Sequence, residues 1–401
     1  VKKYIAFILV TIIGVVIVIR SCNHQTTKEY EIKEDSTELS TDPVLAPLAS
    51  KIDGLLKECR NSKGYNCAVL IARDNQIILQ KGYGYADYRN KSLIDKHTSF
   101  QLASVSKPIT ATAILILWER EQLNIKDKVS KYISGFPYED LTIDMLLCHR
   151  SGLPNYMYFC DEYVTDKTGG KVTNEDIISL LIRHRPSLMF TPGKRFMYSN
   201  TNYCLLASIV EKVSGQSFSE FLRKELFEPL HMTDSYLLTD KAPVDNKALA
   251  YTHGFARLGE DYLDGVVGDK GICSSVSDLY KFHQGLENGL ILKKETLTEA
   301  YKPRSFEKKG EKNYGYGWRM KKQSASDFII YHNGWWRGFN TLFFRRLKDN
   351  TVVIILNNKL NKSIYRITPI LEILDGSGSE FDSEDERVNV SMIKAAKKSK
   401  A

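Results

Sequence analysis

Strand-like runs gather in two groups far apart in the chain, so any sheet must be assembled from both ends. In the first group, Ala68-Val69-Leu70-Ile71-Ala72 and Gln76 to Gln80 flank Asp74-Asn75, the signature of a hairpin turn. In the second, Phe328 to Tyr331 is followed by Thr341 to Arg345 and Thr351 to Leu356, the last two joined by Lys348-Asp349-Asn350. Between the groups the pattern is mostly helical or loop-like, including Ile109 to Glu121, Asn174 to His184 and Tyr203 to Val213. A further helix is expected from Pro43 to Cys59, where Leu48, Ile52, Leu55 and Leu56 recur at helical spacing. The pattern implies an α+β sandwich: a central antiparallel sheet flanked by helices, with a mainly helical insertion over roughly residues 105–260.

The ends of the chain differ from its body. Lys2 and Lys3 precede an apolar run from Ile5 to Ile19, with Arg20-Ser21-Cys22 behind it, so residues 1–22 read as a signal peptide or membrane anchor. The run is short of the ~20 residues of a comfortable span. Cys22 is either a lipidation site or an ordinary residue behind an uncleaved anchor. Residues 23–42 form a polar linker, 43–374 the folded domain and 375–401 a polar tail that reads as disordered. Lys2, Lys3, Arg20, Lys394, Lys397, Lys398 and Lys400 hold nearly all of the formal charge of +8. The body is therefore near neutral and carries no basic, aromatic-interleaved stripe, which argues against a nucleic-acid partner. Of seven cysteines, Cys59 with Cys67 and Cys148 with Cys160 are close enough in sequence to pair, although a domain of this size stands without them as buried thiols. Neither the cysteines nor the eight histidines show metal-ligand spacing, and no cofactor is indicated.

Chemistry enters with Ser104-Val105-Ser106-Lys107, just ahead of the apolar run. On a helix, residues three apart are neighbours, which places an amine beside a hydroxyl and gives the nucleophile its own base. Burial and a helix start both favour the neutral amine that this role needs. Alone the tetrapeptide is a weak signal, but Tyr198-Ser199-Asn200 and His332-Asn333-Gly334 follow it in order.

These three motifs resemble S-x-x-K, Y-x-N and K/H-x-G of the serine β-lactamase and penicillin-binding family, in the branch of class C β-lactamases, D-alanyl-D-alanine carboxypeptidases and related esterases. Leu146 to Pro154 and Gly268 to Ser275, followed by Asp278-Leu279, also look like that family, so the likeness runs roughly from Leu45 to Leu374. The resemblance implies a β-lactamase/transpeptidase-like fold with catalytic Ser104, Lys107 and Tyr198. Lys107 and Tyr198 would share the proton transfers, and Asn200 would orient Lys107 or a substrate amide. His332 would sit on an edge strand lining the cleft, Gly334 would keep that surface open to substrate, and the backbone amides of Ser104 and Trp335 would hold an oxyanion. The chain departs from the pattern at Asn333 and at Trp335-Trp336, two indoles that either narrow the cleft or pack in a strand turn. Arg337 is either a partner for a substrate carboxylate or one half of a surface ion pair. No G-x-S-x-G elbow is present.

The expectation is an exported serine hydrolase at the outer face of a bacterial membrane, acting through an acyl-enzyme on Ser104. Its substrate would be a small molecule or peptide with an amide, lactam or ester carbonyl. An esterase of the same fold, or a penicillin-binding-like sensor without turnover, is the alternative.

Overall fold

The computed structural model describes residues 38–167, 170–240, 245–307, 310–323, 328–376 and 381. The N-terminal segment read as a signal or anchor, with Cys22, lies outside the described residues. Among the described residues no helix is long and apolar enough to cross a membrane.

Eight strands form one antiparallel sheet: β1 (Glu38–Leu39), β2 (Cys67–Arg73), β3 (Gln76–Tyr83), β4 (Lys312–Tyr314), β5 (Arg319–Lys322), β6 (Phe328–Trp336), β7 (Phe339–Arg346) and β8 (Thr351–Asn357). Their order across the sheet is β1-β3-β2-β8-β7-β6-β5-β4, so the two ends of the chain meet where β8 pairs with β2, Val352 opposite Ala72 and Leu356 opposite Ala68. The β2–β3 hairpin turns at Asp74 and Asn75, with φ of +49° and +64°. Two adjacent left-handed residues give the turn the twist of its flanking strands, and Asp and Asn tolerate that conformation better than most residues.

Ten α-helices are described: α1 (Ala46–Lys63), α2 (Ser106–Glu119), α3 (Ile143–Leu147), α4 (Tyr156–Tyr163), α5 (Asn174–His184), α6 (Asn200–Ser214), α7 (Phe218–Leu222), α8 (Val276–Glu287), α9 (Lys294–Ala300) and α10 (Thr368–Asp375). α2 to α9 lie between β3 and β4 in sequence, with a three-stranded ribbon of Phe100–Gln101, Ile272–Ser274 and Tyr236–Leu237 in which Ile272–Ser274 is central. The helical insertion is thus longer than the sequence suggests. α5 matches its expected limits and opens with a capping box, Thr173 and Asp176 satisfying each other's backbone N–H groups.

Alternation along the buried strands sorts their side chains into two cores. Ala68, Leu70, Phe343, Ile354 and Leu356 face α2, α6 and α8, while Val69, Ile71, Leu342, Phe344, Val353 and Ile355 face α1 and α10. The strands are apolar on both faces because both faces are covered. All six described cysteines are free and buried, so neither sequence-adjacent pair forms a bridge.

The polar tail is not wholly detached. Asp375 pairs with Arg73 (2.6 Å) and Arg346 (2.7 Å). Phe381 is fully buried against Tyr331 and Phe344, its backbone N–H donating to Thr368 Oγ1 at 2.9 Å. A lone phenylalanine inside an acidic run gives no periodicity, which is why the sequence reads as solvated there. Phe381→Ala is expected to lower the unfolding free energy by about 3 kcal/mol, measured by urea denaturation; a change within error would contradict the packing role.

Candidate active site

Ser104 lies in a 3-10 turn, Ala103–Val105, that runs straight into α2, of which Lys107 is the second residue. Ala103 adopts φ of +49°, a left-handed conformation that costs an L-residue about 1–2 kcal/mol. Leu102 holds the turn in place: its N–H donates to the Ile272 carbonyl at 2.8 Å and its carbonyl accepts from Thr341 Oγ1 at 2.6 Å. The nucleophile turn is therefore fastened to both the small ribbon and β7.

Lys107 is fully buried, with Nζ 2.9 Å from Ser104 Oγ and 2.9 Å from the Asp269 carbonyl, to which it donates. Two neighbours fasten the same loop to α2. Thr110 Oγ1 donates to the Gly268 carbonyl (2.7 Å), and Ser106 Oγ accepts from Ile272 N–H (3.3 Å). Gly268, at φ +101°, is needed because a Cβ there would lie 2.4 Å from the Tyr203 carbonyl.

Aromatic rings close over the amine. Lys107 Nζ is 4.9 Å from the centre of the Tyr198 ring and 5.7 Å from that of Tyr203. The Arg319 guanidinium lies 5.0 Å from the centre of the Tyr198 ring. Asn200 opens α6 beside them, its amide donating to Met157 Sδ at 3.3 Å while its buried Oδ1 has no hydrogen-bond partner.

Two buried histidines border this cluster. His332 Nδ1 lies 2.8 Å from the Asn333 carbonyl, which can only accept, so Nε2 is the acceptor for the Tyr314 hydroxyl at 3.1 Å. His149, at φ +58°, accepts on Nδ1 from Ser199 N–H (3.3 Å) and the Asn202 amide (2.9 Å), and its ring sits 4.3 Å from that of Tyr198. Both imidazoles are held well below the usual histidine range, first by burial and then by Lys107 and Arg319. Each is neutral at ordinary pH.

β6 is not an edge strand, because it lies between β5 and β7. Its pairing with β5 nevertheless stops at Tyr331, opposite Arg319, whereas pairing with β7 continues to Trp336. His332 to Trp336 thus projects past β5 toward the nucleophile. Gly334 differs from expectation in what it admits. A Cβ there would lie 2.5 Å from the Leu102 carbonyl and 2.8 Å from Ser104 N, so the missing side chain lets the strand press against the serine turn rather than leaving space for substrate. That contact sets the Ser104 amide beside the start of Trp335, the pair named above as oxyanion donors. Trp335 is 43% exposed, with Lys362 Nζ 5.8 Å from its ring centre, on the face of β6 opposite the one that Gly334 turns to Ser104. Trp336 packs inward, its indole N–H donating to Asp264 Oδ1 at 2.7 Å. Arg337 pairs with Asp261 at 3.1 Å, the surface ion pair of the two readings.

The structure brings Ser104, Lys107, Tyr198, His332 and Gly334 together, while the Asn200 side chain contacts Met157. It adds His149, Tyr314 and Arg319, to which no role was assigned from sequence. His149 stands in a segment already singled out for its likeness, so that segment held a signal. Tyr314 and Arg319 lie on β4 and β5, short polar strands with no alternation to find.

Residues 52–374 match the model of the Beta-lactamase family. The chain is 33% identical over 317 residues to Penicillin-binding protein 4* of Bacillus subtilis, covering 75% of this chain and 70% of that protein. It is 27% identical over 361 residues to a putative penicillin-binding protein of the same organism, covering 85% of this chain and 84% of the other. Among solved structures, the octameric penicillin-binding protein homologue of Pyrococcus abyssi superposes with a TM-score of 0.71 at 26% identity, over 83% of this chain and 79% of that one.

Two outcomes follow from this geometry. Gly334→Ala should slow modification of Ser104 by a fluorophosphonate about 100-fold, the penalty of displacing a reacting group by roughly 1 Å; an unchanged rate would show that strand and turn need no close approach. His149 and His332 are neutral when folded but free to protonate when unfolded, so the unfolded state takes up more protons below pH ~6.5 and stability falls as the pH drops from there. The slope approaches about 1.4 kcal/mol per pH unit for each histidine well below pH ~6.5. Urea unfolding at pH 6.5 and 5.5 should show His332→Gln losing less stability than wild type by about 1 kcal/mol, because the unfolded imidazole goes from about half to about nine-tenths protonated over that step, and equal losses would contradict a neutral buried imidazole.

Proposed function

The chain belongs to the beta-lactamase family, whose members are serine hydrolases, and from that premise we propose that it hydrolyses an amide, lactam or ester through an acyl-enzyme on Ser104. One observation carries the reading: a fully buried lysine amine 2.9 Å from the serine oxygen, at the start of a helix. A neutral Lys107 takes the hydroxyl proton as Ser104 Oγ bonds to the substrate carbonyl carbon. The negative charge on the carbonyl oxygen goes to the backbone amides of Ser104 and Trp335. As the tetrahedral adduct collapses, the bond to the leaving nitrogen or oxygen breaks. That atom receives the proton from Lys107 through the Tyr198 hydroxyl. Water then attacks the acyl ester, gives up a proton to the same pair, and the ester bond breaks to release the acid and regenerate Ser104.

For the substrate class we propose a cell-wall peptide ending in D-alanine or a β-lactam. Relatives named for binding penicillin support this, at 33% and 27% identity over most of the chain. An exported location belongs with this reading, since a substrate of that kind lies outside the membrane.

The test exposes purified protein to a fluorescent penicillin, a chromogenic cephalosporin, a D-Ala-D-Ala peptide and a short-chain ester. Selective turnover of the peptide or cephalosporin is expected. Turnover of the ester alone would assign an esterase, and a stable penicillin adduct without turnover a sensor. Ser104→Ala should abolish labelling, Lys107→Met should slow acylation about 10³-fold and Tyr198→Phe about 10²-fold. Labelling that survives in Ser104→Ala would remove the nucleophile from the proposal.

A further inference from the structure

The carbonyl that holds Lys107 belongs to an aspartate whose own side chain is buried beside a second lysine. Asp269 and Lys270 are 1% and 2% exposed. Lys270 Nζ donates to the Leu263 carbonyl (2.6 Å), the Val266 carbonyl (3.0 Å) and the Tyr156 hydroxyl (3.0 Å), three acceptors for the three protons of an ammonium. Tyr156, fully buried, donates in turn to Asp269 Oδ2 at 2.9 Å. Asp269 Oδ1 has no hydrogen-bond partner, and Lys270 Nζ lies 4.0 Å from it. The indole of Trp336 covers Lys270 from the β6 side, its ring centre 5.1 Å from Nζ. None of these groups is needed to touch a substrate.

A buried carboxylate attracts whichever cation is at hand, and an unpaired one is expensive. Two lysines are held by this one residue, Lys107 on its backbone carbonyl and Lys270 4.0 Å from its carboxylate. We infer that Lys270 is a positioning residue for Lys107: as the dedicated counter-ion of Asp269, it frees Lys107 from pairing with that carboxylate and leaves it able to accept the Ser104 proton. Tyr156 ties the two charges together and fixes the Asp269 carbonyl against Lys107. The inference rests on the reading of Lys107 as the base.

Other groups around Lys107 supply a constant background. Among the described residues they include Tyr198 and His149 from the loops before α6 and after α3, Tyr203 from α6 and His332 from β6, with Arg319 of β5 on the Tyr198 ring and Cys204 of α6 beside Asp269 and Lys270. All of them are the same in every variant, so the sign of an Asp269 or Lys270 substitution is set by the charge removed. Removing Lys270 leaves Asp269 to hold Lys107 protonated, which moves the acid limb of Ser104 reactivity to higher pH. Removing the Asp269 carboxylate leaves Lys270 as a neighbouring cation, which moves the limb to lower pH.

The experiment measures the rate of fluorophosphonate labelling of Ser104 from pH 5 to 10 in the full chain, for wild type, Lys270→Met, Asp269→Asn and the double variant. The midpoint is expected to rise by about one pH unit in Lys270→Met and to fall by about as much in Asp269→Asn, with the double variant between them. A merely structural pair would slow labelling in both without moving the midpoints apart. Midpoints that move together, or not at all, overturn the inference while leaving Ser104 and Lys107 in their roles. If Lys270→Met does not fold, the nearly isosteric Asp269→Asn decides alone: a fall supports the inference, and a fixed or raised midpoint overturns it. Wild-type protein that takes no label at any pH would overturn the base assignment and this inference with it.

Discussion

Burying the Lys107 amine is the constraint on which the rest of the site depends. For Lys107 to act as the base proposed above, the chain must remove it from solvent, where a lysine is a cation, and still satisfy its hydrogen bonds. It does so at the start of α2, where the helix N-terminus disfavours positive charge, with Ser104 Oγ on one side and the Asp269 carbonyl on the other. Those two acceptors come from segments more than 160 residues apart in sequence. The loop that supplies the second is therefore tied to α2 three times, through Ser106, Lys107 and Thr110. Loosening it would readmit water as well as misplace the lysine.

The sheet serves this arrangement by bringing β6 to the serine turn. Pairing of β8 with β2 closes the chain on itself and places β7 and β6 in line behind α2. Thr341 on β7 then reaches the Leu102 carbonyl, and Gly334 on β6 allows backbone to meet backbone. The left-handed Ala103 is affordable in this setting because contacts from the ribbon and from β7 fix the residue before it.

Much of this was legible in the sequence, and the reason lies in what each signal needs. The apolar runs of β2, β3, β7 and β8 and the helical periods of α1, α2, α5 and α6 are local patterns, so their elements were found with limits within four residues. Ser104, Lys107, Tyr198, Asn200 and His332 were found because their order in the chain is itself a pattern. What escaped has no local pattern. Tyr314 and Arg319 sit on strands of three and four residues, and Phe381 is buried by partners on β6 and β7. Asp269 and Lys270 lay in a segment noted for its likeness, yet two adjacent charges ordinarily mean a solvated loop. Only the fold shows them buried. His332 was rightly expected on a strand, but that strand is not the edge expected, because an edge depends on β5, which the sequence does not announce.

Burial sets the charge state of the groups bordering the site: it is the first cause that holds His149 and His332 neutral, and the Arg319 guanidinium, 5.0 Å from the centre of the Tyr198 ring, adds to it. A cation at position 332 would be buried at 0% exposure, and desolvation alone would oppose it. Histidine meets the position without that cost: its tautomer is fixed by the Asn333 carbonyl, and it accepts from Tyr314. In this chain the third motif therefore contributes shape and a hydrogen bond rather than charge. Under the proposed mechanism a developing oxyanion is met instead by the backbone amides of Ser104 and Trp335.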